Sequence, residues 1–398
     1  MASPERVLLT MVAGTALLCG CALQSRNCPP PPAARVPHVE YQPVGWTQVP
    51  GWNADPLEEA WPAFLAGCGA AASHPRWLEV CSAGSQLHPA SSQEVRAFLE
   101  RDFQPYQIVV RAGRRAEPDG LITGYFEPLL HGDRAPSAEF ATPLYSPPPD
   151  LLTVELGALY PELKGKRVRA RLEGTRVVPY FTRAELDRDP ALKGHEIVWV
   201  ADPLDAFFLE VQGSGRVELP SGETIRLHYA DENGQPYRSI GRYLVEHGEL
   251  KLADATVEGI RAWALAHPAR VKELLDADPS VVFFHEEALG DPALGPQGAL
   301  GAPLTAGRSI AVDPAYIPLG APVFLATTFP GSDAVLERLV FAQDTGGAIR
   351  GPVRADLFWG TGTEAAGEAG RMRQSGRLWL LWPKGAPLPG RSLARTPQ

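Results

Sequence analysis

Three aspartates in the last quarter of this 398-residue chain stand where a carboxyl could do chemistry: Asp313 in GRSIAVDPAYIPLG, Asp344 in RLVFAQDTGGAIRG and Asp356 in VRADLFWGTG. Each follows or sits in a short apolar run, so each can project from the end of a buried strand into a cleft. A carboxyl placed there can act as a general acid or base. An isolated aspartate in a turn is more often a local cap or an Asx-turn. Gly346, Gly347, Gly351 and Gly360 set two of the three acids apart, because they let the backbone approach a ligand closely, which a plain surface turn does not need. Asp313 is followed directly by Pro314 and reads as a structural loop residue.

Three further constellations suit a hydroxyl-rich ligand. Gln212-Gly213-Ser214-Gly215 follows the apolar stretch AFFLEV, read here as a strand, and its amide and hydroxyl groups can be presented by the flanking glycines. Tyr237-Arg238-Ser239-Ile240-Gly241 opens a helix, which places Arg238 and Ser239 at its entrance. Thr123-Gly124-Tyr125-Phe126 puts an aromatic pair beside a glycine, suited either to stacking on a sugar ring or to filling a core.

The elements that must position these groups are mostly strands. QIVVRAG, GLITGYFEP, RVVPYFTR, EIVWVADP, TIRLHYA, PVFLATT, RLVFAQD and RLWLLWP are apolar, β-branched and bounded by turn residues, which suits a barrel or sandwich. Helices are expected in DPLEEAWPAFLAGC, from a capping box at Ser91 and Glu94, and over Ala255 to Ala277 with a break at Pro268. The proline cluster Ser146 to Pro149 and the Gly/Ala/Pro-rich joint Pro292 to Pro303 bracket a stretch in which the chain leaves one domain and returns. A domain inserted into another would leave a groove between the two, a common place for ligands.

Length allows two domains, and 40 prolines with 39 glycines favour short strands and turns over a helical bundle. A net charge of -9 argues against nucleic acid as a partner, since its phosphates would be repelled. Residues 1–20 read as a secretory signal: Arg6, an apolar core from Val7 to Leu18 too short to span a bilayer, then Leu18-Cys19-Gly20-Cys21-Ala22. This run resembles the bacterial lipoprotein signal, with Cys21 as the lipidated residue and Ala22 pointing to the outer membrane. A proline-rich tether over 21–43 follows. Export implies an oxidising compartment, in which Cys68 and Cys81 could close a small loop. No pair of cysteines has CxxC spacing and the nine histidines are scattered, so no metal site and no cofactor is called for.

Four blocks, LITGYFEP, LEVQGSG, YRSIGRYL and AQDTGGAIRGPVRADLFWGTG, in that order behind the lipoprotein signal, resemble the membrane-bound lytic murein transglycosylase A family, the last block resembling its three-aspartate (3D) domain. The resemblance covers roughly Tyr106 to Pro383. It implies a mainly β fold with a few helices: a double-psi β-barrel from 44–127 and 289–385, a second β-barrel inserted over 128–288, and a tail over 386–398. It further implies Asp356 as catalytic acid and base, Asp344 in the same site and Thr123 on the sugar. Gly124, Tyr125, Gln212, Gly213, Ser214, Arg238, Ser239, Gly346 and Gly347 complete the candidate binding set. Glu127 and the basic run from Lys164 to Arg171 depart from the family pattern. The expected partner is the peptidoglycan glycan strand, cleaved at its MurNAc-GlcNAc bond by a monomer anchored to the outer membrane and facing the periplasm.

The single acid makes chemical sense. Ordinary glycosidases use two carboxyls, whereas a muramic acid C6 hydroxyl is a nucleophile already attached to the substrate. A raised Asp356 pKa would be required, from burial against Phe358 or Trp359 or from a charged Asp344. A catalytically silent glycan-binding lipoprotein and a hydrolase using water are the rival readings. GTGTEAAG lacks the spacing of a nucleotide loop, and the three aspartates are not at calcium-loop spacing.

Overall fold

The structure is a computed structural model that describes residues 38–71, 75–89, 91–112, 115–163 and 168–390. The expected signal segment and Cys21 lie outside the described residues. The N-terminal part supplies strands β1 (His38–Pro43), β2 (Phe103–Ala112), β3 (Arg115–Glu117) and β4 (Gly120–Glu127) and helices α1 (Trp61–Ala71), α2 (Pro75–Ser85) and α3 (Ser92–Asp102). The middle supplies β5 (Leu129–Asp133), β6 (Thr142–Tyr145), β7 (Leu152–Val154), β8 (Val168–Glu173), β9 (Arg176–Pro179), β10 (Glu196–Val200), β11 (Ser214–Glu218), β12 (Thr224–Glu232) and β13 (Val282–Ala288). Its helices are α4 (Arg183–Leu186), α5 (Pro203–Gln212), α6 (Ile240–Glu246), α7 (Val257–Ala266) and α8 (Val271–Asp276). The C-terminal part supplies β14 (Ser309–Val312), β15 (Pro322–Thr328), β16 (Val335–Asp344), β17 (Arg354–Thr361), α9 (Gly362–Arg371) and β18 (Arg373–Pro383).

The two ends of the chain share one sheet, ordered β1-β2-β18-β15-β16-β14-β17-β4, and β4 also pairs with β18. That extra pairing closes β18, β15, β16, β14, β17 and β4 into a ring, with β14–β16 and β17–β4 parallel and the other four pairings antiparallel. Strand alternation sorts the side chains. Ile122, Ile310, Val312, Ala355 and Leu357 enter the large core that also holds Trp52, Phe64, Trp77, Phe98 and Trp382 from the helices and strand ends. Thr123, Tyr125, Ala311 and Asp356, one residue away on the same strands, are outside that core.

The middle of the chain builds a six-stranded sheet, β13-β12-β11-β5-β10-β6, and a three-stranded one, β7-β8-β9. One face of the larger sheet carries Leu130, Val217, Ile225, Leu227 and Phe284 against Leu209 and Ala206 of α5. The end strands β13 and β6 come into contact without strand pairing between them.

Several expectations change. AFFLEV is not a strand but most of α5, capped by Asp202, whose side chain accepts from Leu204 N at 2.8 Å, and ended by Gly213 in the left-handed region at φ 80°. The expected tether does not reach residue 43, because 38–43 forms β1 along β2. The proline cluster at 146–149 lies within the middle region, since β5 and β6 already belong to its sheet; the chain crosses over between β4 and β5. Of the expected tail, Pro387 accepts a hydrogen bond from Trp382 Nε1 at 3.2 Å, so the part up to residue 390 packs on the core. The helix over 255–277 breaks where Pro268 predicts, into α7 and α8, and Ser91 caps α3. Cys68 and Cys81 form a disulfide that ties α1 to α2.

Candidate active site

Ala311 of β14 has Asp344 as its register partner on one side and Asp356 on the other, and Asp356 is in turn opposite Thr123 of β4. At about 4.8 Å per strand the two acidic Cα atoms lie about 10 Å apart. The alanine between them raises no side-chain wall. On β17 the alternation puts Asp356 on the face opposite Ala355 and Leu357, whereas β16 is apolar without alternation and a register shift, pairing Ile310 with Ala342 but Ala311 with Asp344, brings Asp344 beside Ala311.

The two carboxyls have different surroundings. Asp356 is half-buried and receives one hydrogen bond, from Thr123 Oγ1 to Oδ1 at 2.5 Å. Burial pushes its pKa up from 3.8 to about 6, against the lowering effect of the Thr123 hydroxyl and the Arg354 guanidinium; the charge of Asp344 is the smallest contribution and adds to the rise. The apolar wall is Phe358, two residues along the same strand and 1% exposed, with its ring 5.3 Å from that of Tyr125. Asp344 has both oxygens engaged: Oδ1 accepts from Ala299 N at 3.0 Å and Thr345 N at 2.9 Å, and Oδ2 accepts from Tyr125 Oη at 2.9 Å. Burial nonetheless outweighs these three donors and raises its pKa. Burial and the neighbouring acids push the Tyr125 phenol well above its ordinary value, so it remains a donor.

Thr123 with Asp356 and Tyr125 with Asp344 are therefore two hydrogen-bonded pairs, both built on β4 and set side by side in one site. Gly124 belongs to it sterically: a Cβ there would lie 2.6 Å from Trp359 Nε1, whose indole N–H points to Met372 Sδ at 3.2 Å. Asp313 is buried and accepts from Ala315 N at 3.1 Å and Gly351 N at 2.9 Å. It thereby fastens the loop, containing Gly346 and Gly347, that joins Asp344 to the strand of Asp356. Gln212 Oε1 accepts from Phe126 N at 3.0 Å, tying the end of α5 to β4. Gly213 is the helix cap and Ser214 is buried at the start of β11. Arg238 and Ser239 stand apart from the acids. Both are exposed at the entrance of α6, where Ser239 Oγ accepts from Arg242 N at 3.2 Å and Arg238 N donates to Asp278 Oδ1 at 2.9 Å.

Two features that the sequence did not assign to the site lie beside it. The segment 294–300, read from sequence only as a joint, packs against Asp344 and its neighbours: a Cβ at Gly295 would lie 2.8 Å from Phe358 Cε1 and one at Gly298 2.4 Å from Gln343 O. Leu300 N donates to Gln343 O at 3.0 Å. Glu127 ends β4, is fully buried, and holds two arginines, Arg216 and Arg226. The sequence signal for the segment was its two glycines, Gly295 and Gly298, which permit these close approaches.

Comparison with known proteins follows this geometry. Residues 121–285 match the model of the MltA specific insert domain and residues 308–382 that of the 3D domain. The membrane-bound lytic murein transglycosylase A of Escherichia coli K12 is 31% identical over 267 residues, 65% of this chain; the match spans 65% of that relative's own length, just under two thirds. A crystal structure of the E. coli MltA with bound chitohexaose is similar at TM-score 0.66 and 27% identity, covering 87% of this chain and 95% of that one. MltA from Neisseria gonorrhoeae is similar at TM-score 0.76 and 37% identity, covering 88% and 94%. The lytic transglycosylase LtgG of Burkholderia pseudomallei is 47% identical with TM-score 0.58, covering 86% and 95%.

Proposed function

This chain belongs to the MltA family, and on that premise we propose that it is a lytic transglycosylase of peptidoglycan that works with one catalytic carboxyl, Asp356. The observation that carries the reading is the state of that carboxyl: burial lifts its pKa to about 6, so a usable fraction is protonated near neutrality. Among the described residues its one side-chain hydrogen bond is from Thr123.

In the proposed reaction Asp356 gives its proton to the oxygen linking MurNAc to GlcNAc, and that glycosidic bond breaks at the muramic C1. The muramic C6 hydroxyl attacks C1, its proton passes to the Asp356 carboxylate, and a 1,6-anhydro ring closes. Atoms and charge balance with no water consumed, and the attached nucleophile has a high effective concentration. Asp344 would support the cationic sugar from a fixed position. Thr123 would orient Asp356 directly and Tyr125 would hold Asp344, instead of both acting mainly as sugar contacts.

The glycan strand as substrate is supported by the chitohexaose bound to the E. coli relative. The closed six-strand ring with its two parallel pairings fits a double-psi β-barrel, and the middle sheet fits the inserted domain over 128–288. Gly346, Gly347, Gln212, Gly213, Ser214, Arg238 and Ser239 remain the proposed lining of the groove. Lipid anchoring through Cys21, at the outer membrane and facing the periplasm, is supported by the membrane-bound relatives and by the disulfide, which suits an oxidising compartment. Among the described residues no helix is long and apolar enough to cross a membrane.

The test is mass spectrometry of sugar ends after purified protein is incubated with cell-wall sacculi. Anhydromuramyl ends that vanish in Asp356→Asn support the proposal. Reducing muramic ends would identify a hydrolase, and binding without cleavage a silent glycan-binding lipoprotein.

A further inference from the structure

Glu127 lies two residues beyond Tyr125 and four beyond Thr123, on the same face of β4. Its Oε1 accepts from Arg226 Nε at 2.6 Å and its Oε2 from Arg216 Nε at 2.8 Å and Arg226 Nη2 at 3.3 Å. The carboxylate is 0% exposed and the guanidinium side chains 11% and 8%, so none of the three offers a usable surface to a sugar. Both arginines, from β11 and β12, also donate to the carbonyl of Leu294, at 3.1 Å and 2.7 Å.

Leu294 begins the segment that packs against Asp344. The next residue, Gly295, rests on Phe358 and donates to Leu304 O at 3.1 Å, and four residues further on Ala299 N donates to Asp344 Oδ1. The Glu127 cluster thus joins the outgoing strand, the middle sheet and the returning segment at one point. A purely stabilising role would not require both arginines to converge on that one carbonyl. Buried ion clusters are poor stabilisers beside apolar replacements of similar volume but good at selecting one arrangement.

We propose that Glu127, Arg216 and Arg226 are positioning residues that lock segment 294–299 against Asp344, and so hold the Ala299 amide on its carboxyl. This rests on the catalytic reading above only for its kinetic consequence. The lock itself is a statement about segment 294–299.

The test compares the full chain with two variants by hydrogen exchange and by turnover of soluble glycan strands. Glu127→Gln removes the charge and one of the two acceptor oxygens and leaves two buried cations, which risks misfolding. Glu127→Met with Arg216→Met and Arg226→Met replaces every charged and polar side-chain group of the cluster by an apolar one of similar volume, so it is expected to fold. In that triple variant the amides of 294–300 should exchange at least about tenfold faster while β15 is unchanged. Turnover should fall about tenfold or more with KM within about threefold, because no sugar contact is lost. Wild-type exchange at 294–300, acceleration spread over the whole protein, or a rise in KM at constant kcat would each overturn the lock. If the wild type forms no anhydro ends, the functional reading fails by itself and the exchange measurement still decides the lock.

Discussion

Replacing Asp356 by asparagine should make the protein more stable above pH 7 relative to its stability at pH 4. The Asp356 carboxyl has its pKa raised from 3.8 to about 6, with burial as the leading cause. Between those values the native state binds more protons at this site than the unfolded chain, so stability falls as pH rises through the window. At about 1.4 kcal/mol per pH unit the full loss is about 3 kcal/mol, present above pH ~7 and absent near pH 4. Asparagine has no charge to desolvate and can still accept from Thr123. The difference between variant and wild type should therefore move by about 3 kcal/mol in the variant's favour from pH 4 to pH 8. With roughly 340 described residues and about 2.1 cal/mol/K of unfolding entropy per residue, that is a relative Tm gain of about 4 °C. Thermal unfolding of both proteins across pH 4 to 8 measures it. Parallel stability curves, or a variant that loses ground as pH rises, would refute a protonated, desolvated acid at this position.

Tyr125→Phe removes one of the three donors to Asp344 while keeping the ring against Phe358; a hydrogen bond to a charged group is worth about 1.5–3 kcal/mol, so turnover should fall about 10- to 100-fold with circular dichroism unchanged. Asp313→Ala orphans the amides of Ala315 and Gly351, which should cost about 1–3 kcal/mol in urea unfolding and open the 345–351 loop to protease. Reducing Cys68–Cys81, 13 residues apart in sequence, should lower stability by about 3 kcal/mol on the chain-entropy estimate, read as a fall in Tm with dithiothreitol.

What the sequence shows plainly is local. Asp344 and Asp356 were legible because each follows or sits in a short apolar run with glycines close by, and Thr123 and Tyr125 because their block sets an aromatic pair beside a glycine. Helix α5 was misread because AFFLEV is short and, Glu210 apart, apolar, where periodicity cannot separate strand from helix. Asp202-Pro203 at its start and Gly213 at its end are nevertheless a start and stop signature that outweighs the run. Strand β1 was hidden behind the prolines that precede it. The Glu127 cluster was not legible at all, since its partners are 89 and 99 residues away and no local pattern encodes a pairing at that distance. The joint at 292–303 was recognised by composition, yet its glycines serve close approach to Phe358 and Gln343 and not looseness.

The hydrogen bonds also argue which acid gives the proton. A donor to the glycosidic oxygen must have an oxygen that the protein leaves free. Among the described residues Asp356 accepts only at Oδ1, from Thr123, whereas Asp344 accepts at both oxygens from three donors. Donating from Asp344 would break at least one of those bonds; burial raises the pKa of both acids, so it is the free oxygen of Asp356 that separates them. Asp344→Asn should therefore weaken catalysis through lost charge and lost orientation, leaving a residue of anhydro product. Asp356→Asn removes the general acid, a contribution of about 10²- to 10⁴-fold in itself, together with the base that closes the ring. Single-turnover release of anhydromuramyl ends by the two variants, side by side at pH 5 and 7, separates the roles. More product from Asp356→Asn than from Asp344→Asn would reverse the assignment.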